Sequence, residues 1–321
     1  MSPNDLPISD LVSQSPVLPS ASVQAVEVDA PAPPPPKPFP GLWQSLGLLF
    51  LYSATQGVVM VPAIVLDLVF HTHIMTNPLV LAIATLASAA LVATITCIQL
   101  RCSFLELIGP FRLPVRMLGP IVVTVIGQLF VVAIISLWIV RLFPALNASS
   151  ERLEELLGSS GPKWAAFLLV AVVAPLCEEL VFRRIFLGGM IPRFGMRYGL
   201  AFGAILFAIG HMNPVQASVA ISMGLINGWW FARLGSMWPG VLAHSVNNSF
   251  SILVLFLQAP HAPAPTAHLG AEIGILCGGA VILTSAILAS KRVFAALDAE
   301  GRIAGGTAVD PDPGLPVNPP E

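Results

Sequence analysis

Ala174-Pro-Leu-Cys-Glu-Glu-Leu-Val-Phe-Arg-Arg184 lies toward the inner end of an apolar run, residues 164–187, that is long enough to cross a bilayer as a helix. It sets two adjacent acids, Glu178 and Glu179, inside that span. One ionised carboxylate near the bilayer centre costs about 3 kcal/mol even on lenient insertion scales, and two neighbours cost more. Such residues are met by partners and mark function, so the rest of the chain is read for groups that can meet them.

Composition sets the class. The 321-residue chain is 55% hydrophobic and only 10% charged, where soluble domains carry about 25% charged residues. With a mean hydropathy of +0.83 this is a polytopic membrane protein. A net charge of −2 says little about partners, and no basic stripe points to nucleic acid. The cysteines Cys97, Cys102, Cys177 and Cys277 form no CxxC pair, so neither a disulfide framework nor a thiolate zinc site is expected.

Eight apolar stretches are expected to span: about 43–69, 78–100, 117–140, 164–187, 198–212, 214–232, 238–257 and 270–290. The fold class is therefore an all-α bundle of about eight transmembrane helices. The fifth and sixth are separated only by the helix-breaking pair Asn213-Pro214. With the N-terminus inside, three of the 15 cations (Arg141, Arg152 and Lys163) fall outside and the other twelve inside. The positive-inside rule then places both termini in the cytoplasm. Residues 1–40 lack a signal-peptide pattern and read as a disordered, Pro-rich tail, and 295–321 read as a second tail. Between them lie 41–158, with the first three spans, and 159–294, with the polar motifs.

Trp43, Trp138, Trp164 and Trp238 fall near span ends, as interfacial aromatics do. Asp67 and Glu272 are expected to snorkel at the outer edge, and His71, His73, His261 and His268 to sit solvated in outer loops. Asn147-Ala-Ser149 matches a glycosylation sequon. Gly224-Leu-Ile-Asn-Gly228 is a GxxxG face that lets helices approach closely. Pro62 and Pro175 are expected to kink a helix or loosen a turn.

The polar groups of the second half fall into three sets at i,i+4, each on one helix face: Glu179 with Arg183, Phe207 with His211, and His244 with Asn248. Glu179 and Arg183 make a structural ion pair in the favourable order. Glu178, turned about 100° away, has no local partner and is the candidate for chemistry. At about 1.5 Å per residue, Glu178 lies roughly 13 Å deep, His244 roughly 9 Å and Asn248 roughly 15 Å. His211 comes out near 20 Å in a straight helix, so the fifth helix must be tilted or recessed if the four are to share one membrane-embedded cavity.

Glu178-Glu179-x-x-x-Arg183, Phe207-x-x-x-His211 and His244-x-x-x-Asn248 resemble, in order, the three motifs of the CAAX prenyl protease and bacteriocin-processing (CPBP, or ABI) family of intramembrane proteases. The resemblance covers about residues 160–257. It implies hydrolysis of a peptide bond in a membrane-associated, lipidated or unlipidated peptide, with the lipid bilayer as the other partner. On that reading Glu178 and His211 activate a water, His244 and Asn248 donate to the oxyanion, and Phe207 forms a cavity wall, with no cofactor required. The alternative within the fold is a zinc metalloprotease with Glu178, His211 and His244 as ligands. Asn is a poor zinc ligand and no HExxH pair is present. Outside that class stand a proton-coupled transporter, since buried Glu, His and Arg also build relays, and a non-catalytic immunity scaffold. The polar groups concentrate in one half without an internal repeat, which favours the enzyme.

Overall fold

The computed structural model describes residues 37–146, 162–257 and 268–303. The expectations for 1–36 and 304–321, the sequon at Asn147, the acidic run around Arg152 and His261 lie outside the described residues. Among those described the chain is helical and has no strand. We label the helices α1 (Leu42–Phe70), α2 (Pro78–Leu100), the short α3 (Phe104–Ile108), α4 (Leu118–Leu142), α5 (Lys163–Gly210), α6 (Pro214–Leu234), α7 (Trp238–Leu257) and α8 (Leu269–Ala299). The expected tail from 295 starts as helix, since α8 runs to Ala299 with Leu297 buried.

Six of these helices are long and apolar enough to cross a membrane: α1, α2, α4, α5, α7 and α8. Two differences separate that number from the eight expected rods. The fourth and fifth spans are one 48-residue helix, α5, bent at Gly195, whose φ of 78° only glycine adopts readily. And α6 is less apolar, because it carries polar side chains such as Ser222 and Asn227 into the bundle. The bend at Gly195 folds α5 back on itself. Its second arm brings His211 beside the first arm, which a straight fifth rod could not do.

Local chemistry sets the helix ends. Asn213 accepts from the N–H groups of Val215 and Gln216, and Pro214 occupies the first turn of α6, where a missing N–H does no harm. Asn77 and Pro78 open α2 the same way. The C-terminus of α2 closes through Cys102 N–H to Cys97 O at 3.0 Å and Arg101 N–H to Ile98 O at 3.3 Å, with Arg101 left-handed, a Schellman turn. Burial pushes the Cys102 thiol up to about 11, with the neighbouring Cys97 adding to it. Ser103 then caps α3: its N–H and hydroxyl donate to Glu106 at 2.7 Å and hold that carboxyl below its ordinary value.

Three charged residues do not behave as the sequence suggested. Asp67 does not snorkel; it accepts from Thr72 Oγ1 (2.6 Å) and from the N–H groups of Ile74 (2.6 Å) and Met75 (2.8 Å), closing the α1–α2 turn. Glu272 is fully buried, paired with Arg141 at 2.6 Å and accepting from Trp138 Nε1 at 2.8 Å, so it clasps α8 to α4 and Trp138 is part of that clasp. Arg184, counted with the inner-side cations, is fully buried and donates to the carbonyls of Glu106 (3.1 Å) and Leu107, tying α3 to α5. Near the C-terminal end of α8, Arg233 pairs with Asp298 at 2.6 Å and Arg116 with Glu300, which fasten α6 and the start of α4 to the end of α8.

The GxxxG face of α6 packs on α5. A Cβ at Gly224 would lie 2.7 Å from Cα of Ala204, and one at Gly228 would lie 3.0 Å from methyls of Leu187 and Leu200. Gly224→Val is expected to force α6 off the second arm of α5 and to cost about 1–3 kcal/mol, read as a lower melting temperature in detergent micelles.

Candidate active site

The first arm of α5 is not a regular α-helix. It holds π-helical turns at Leu169–Val173 and Glu179–Leu187, on either side of Ala174–Glu178. Wide turns of this kind re-aim side chains and are frequent at functional sites. Pro175 completes the first of them. In the π register Ala174 N–H bonds to Leu169 O, so the next donor would be residue 175, serving the carbonyl of Val170. Proline has no N–H. The carbonyl of Val170 instead accepts from Asn248 Nδ2 of α7, at 2.9 Å. The proline anticipated as a kink thus leaves a vacancy in the helix ladder that anchors a motif residue.

Glu178 and Glu179 face different surroundings. Glu179 is fully buried: Oε2 lies 3.1 Å from Arg183 Nε, and Oε1 lies 3.1 Å from His244 Nδ1 and 3.2 Å from Asn227 Nδ2. The glycine at 240 is required here, since a Cβ there would sit 2.6 Å from Glu179 Oε2. Arg183 is equally buried, with its guanidinium carbon 4.2 Å from the centre of the Phe207 ring. The edges of the His211 and His244 rings also meet Phe207, at centroid distances of 4.8 and 5.9 Å. Phe207 is therefore a shared platform for Arg183 and both histidines as well as a wall.

Glu178 is 20% exposed at its side chain and opens onto a cavity of about 500 Å³. The same cavity is lined by His211, His244 and Asn248, so residues from α5 and α7 converge on one space. Glu178 Oε2 stands 3.7 Å from His244 Nε2. His244 is thus held between the two glutamates, Nδ1 toward Glu179 and Nε2 toward Glu178. His211 turns Nδ1 onto the carbonyl of Phe207 at 2.9 Å, which assigns the proton to Nδ1 and leaves Nε2 as a lone-pair base. For His244, the Glu179 carboxylate assigns a proton to Nδ1, and Nε2 donates into the cavity when the ring is imidazolium.

Leu129 and Ala133 of α4, Val219 and Met223 of α6 and Phe250 of α7 make much of the remaining wall apolar, with Gln216, Asn247 and Ser251 adding polar groups. Asn227, which sequence reading passed over inside the GxxxG face, is a partner of Glu179. An asparagine on an otherwise apolar helix was the available signal. Asn247 donates to Asn248 Oδ1 at 3.3 Å.

Residues 160–250 match the family model described as type II CAAX prenyl endopeptidase, Rce1-like. This segment is similar to that family. It carries Glu178, Glu179, Arg183, Phe207, His211, His244 and Asn248, so the match covers the whole constellation. Over 87 residues the chain is 23% identical to a curated Bacillus subtilis (strain 168) protein named "Putative membrane peptidase YdiL", covering 27% of this chain and 36% of that relative. The chain therefore matches about a third of the length of this relative. No solved structure matches the chain. Together with its six apolar helices, the Rce1-like segment makes this an integral membrane protein.

Zinc is the group to test against these residues. Among the described residues no three His, Cys, Asp or Glu side chains form a cluster that could hold a metal ion. The Nδ1 contacts of His244 with Glu179 and of His211 with a backbone carbonyl leave both Nε2 atoms free, as in a metal-ligating histidine, and do not weigh against zinc. As they stand, however, Glu178, His211 and His244 are not gathered closely enough to form a three-ligand site.

Proposed function

We propose that this protein is an intramembrane endopeptidase that hydrolyses a peptide bond in a membrane-associated peptide, with a water activated by Glu178 and His211. The observation that carries this reading is the convergence of Glu178, His211, His244 and Asn248 on one cavity within the Rce1-like segment. Positive charge on the inner loops supports cytoplasmic termini and a substrate reached from that side.

The chemistry follows from the two carboxylates' different settings. Glu179, neutralised by Arg183 and occupied by His244 and Asn227, is structural. Glu178 has His244 Nε2 3.7 Å away, forms no ion pair with Arg183 and faces the cavity. Glu178 takes a proton from water, with His211 Nε2 accepting the water's second hydrogen bond. The hydroxide adds to the scissile carbonyl carbon. The carbonyl oxygen gains the negative charge and receives hydrogen bonds from His244 Nε2–H and an Asn248 amide hydrogen; losing one such donor typically lowers kcat about 10²–10³-fold. The intermediate collapses as the C–N bond breaks, and Glu178 passes its proton to the leaving amine.

The test is cleavage by the purified protein in liposomes, using farnesylated and unfarnesylated versions of one quenched fluorescent peptide. Cleavage is expected to persist after exhaustive chelation. Cleavage lost on chelation and restored by zinc would replace the metal-free mechanism with the zinc-dependent one. Proton flux in the absence of any cleavage would instead support a transporter, and neither activity would leave the scaffold reading.

A further inference from the structure

Asn227 lies on α6, is 1% exposed, and has no place in the three motifs. Its amide nitrogen is 3.2 Å from Glu179 Oε1 and 3.3 Å from the carbonyl oxygen of Gly240. Two acceptors there require the NH₂ end of the amide to point at them, which fixes its orientation. We propose that Asn227 is a positioning residue for the reaction. Anchored on Gly240, it holds the Glu179 carboxylate turned toward His244 and away from full engagement with Arg183. The inference rests on the hydrolase reading above and deepens it.

The competition it settles is visible in the geometry. Arg183 is one turn along the same helix and offers a planar fork of donors that favours bidentate pairing with a carboxylate. It meets Glu179 only through Nε at 3.1 Å, and Nη1 and Nη2 have no hydrogen-bond partner, the guanidinium lying over Phe207. A carboxylate free to rotate would close onto those unused donors. Doing so would take Oε1 away from His244 Nδ1. His244 would then lose the partner that fixes its proton on Nδ1. It could carry the proton on Nε2 instead and donate it to Glu178 Oε2, 3.7 Å away. A neutral ring without the Glu179 carboxylate behind Nδ1 is also a weaker donor to the oxyanion than one backed by it, so stabilisation of the transition state falls. Asn227 supplies the second donor that keeps Oε1 in place, and the missing side chain of Gly240 leaves the room for it.

The experiment uses the full chain in lipid nanodiscs with ¹⁵N-labelled histidine and no substrate. The His244 signals are assigned by their loss in His244→Gln. Wild type is expected to show Nδ1 protonated throughout. In Asn227→Leu and Asn227→Ala a population protonated on Nε2 alone is expected, whereas Asn227→Gln, which keeps an amide, retains the wild-type pattern. On the quenched farnesylated peptide, kcat is expected to fall about 10- to 100-fold in the Leu and Ala variants, the usual loss when a residue orienting a functional histidine is removed, with KM unchanged within about twofold. Folded Leu and Ala variants with the wild-type histidine pattern overturn the proposal, as does a Gln variant as impaired as Leu with no change in that pattern. Failure of wild type to cleave any peptide would count against the hydrolase reading alone, because the spectroscopic comparison needs no turnover.

Discussion

Glu178→Gln is expected to lower kcat by roughly 10³- to 10⁴-fold, near the upper end of what a positioned general base contributes. The amide keeps the size and shape of the carboxyl, but it cannot take a proton from water at neutral pH. Glu178 is partly exposed to the cavity and forms no ion pair with Arg183, so the substitution leaves the buried charges matched. The melting temperature should therefore stay near wild type while turnover of the quenched peptide disappears. The same change at Glu179 behaves differently, since it disrupts the bonds to His244 and Asn227 and strands a buried arginine. Persistent cleavage by Glu178→Gln would remove Glu178 from the reaction.

Arg183→Met is the substitution with the largest expected effect on stability. Glu179 is fully buried and Arg183 is 2% exposed, and removing the cation leaves an ionised carboxylate without a charge partner in a low-dielectric site. Breaking a buried pair from one side costs about 3–5 kcal/mol. The double variant Glu179→Gln/Arg183→Met removes both charges and is expected to recover most of that loss in chemical unfolding from detergent. It should not recover activity, because His244 still lacks its carboxylate. A single variant as stable as wild type would mean that the pair contributes nothing to the fold.

The sequence made the spans legible because hydropathy over about 20 residues is a local signal, and the helix starts at Asn77-Pro78 and Asn213-Pro214 were equally local. The motif residues were found because their i,i+4 spacing lies within single helices. What stayed hidden depends on partners far along the chain. Glu272 reads as an edge acid until Arg141 and Trp138 are brought to it from α4. Arg184 reads as an inner-side cation until the carbonyls of α3 fold over it. Asn227 is 48 positions from the carboxylate it serves. The bend at Gly195 was hidden for another reason: a single left-handed glycine leaves hydropathy unchanged while reversing the path of a helix.

All nine residues of the π-helical stretch Glu179–Leu187 are buried. An ordinary membrane rod keeps one side toward lipid, where one bulky apolar residue can replace another with little penalty. This stretch has no such side. From Glu179 to Leu187 the chain has no neutral ground for sequence drift, and any attempt to redesign the protein's lipid-facing surface must begin beyond it.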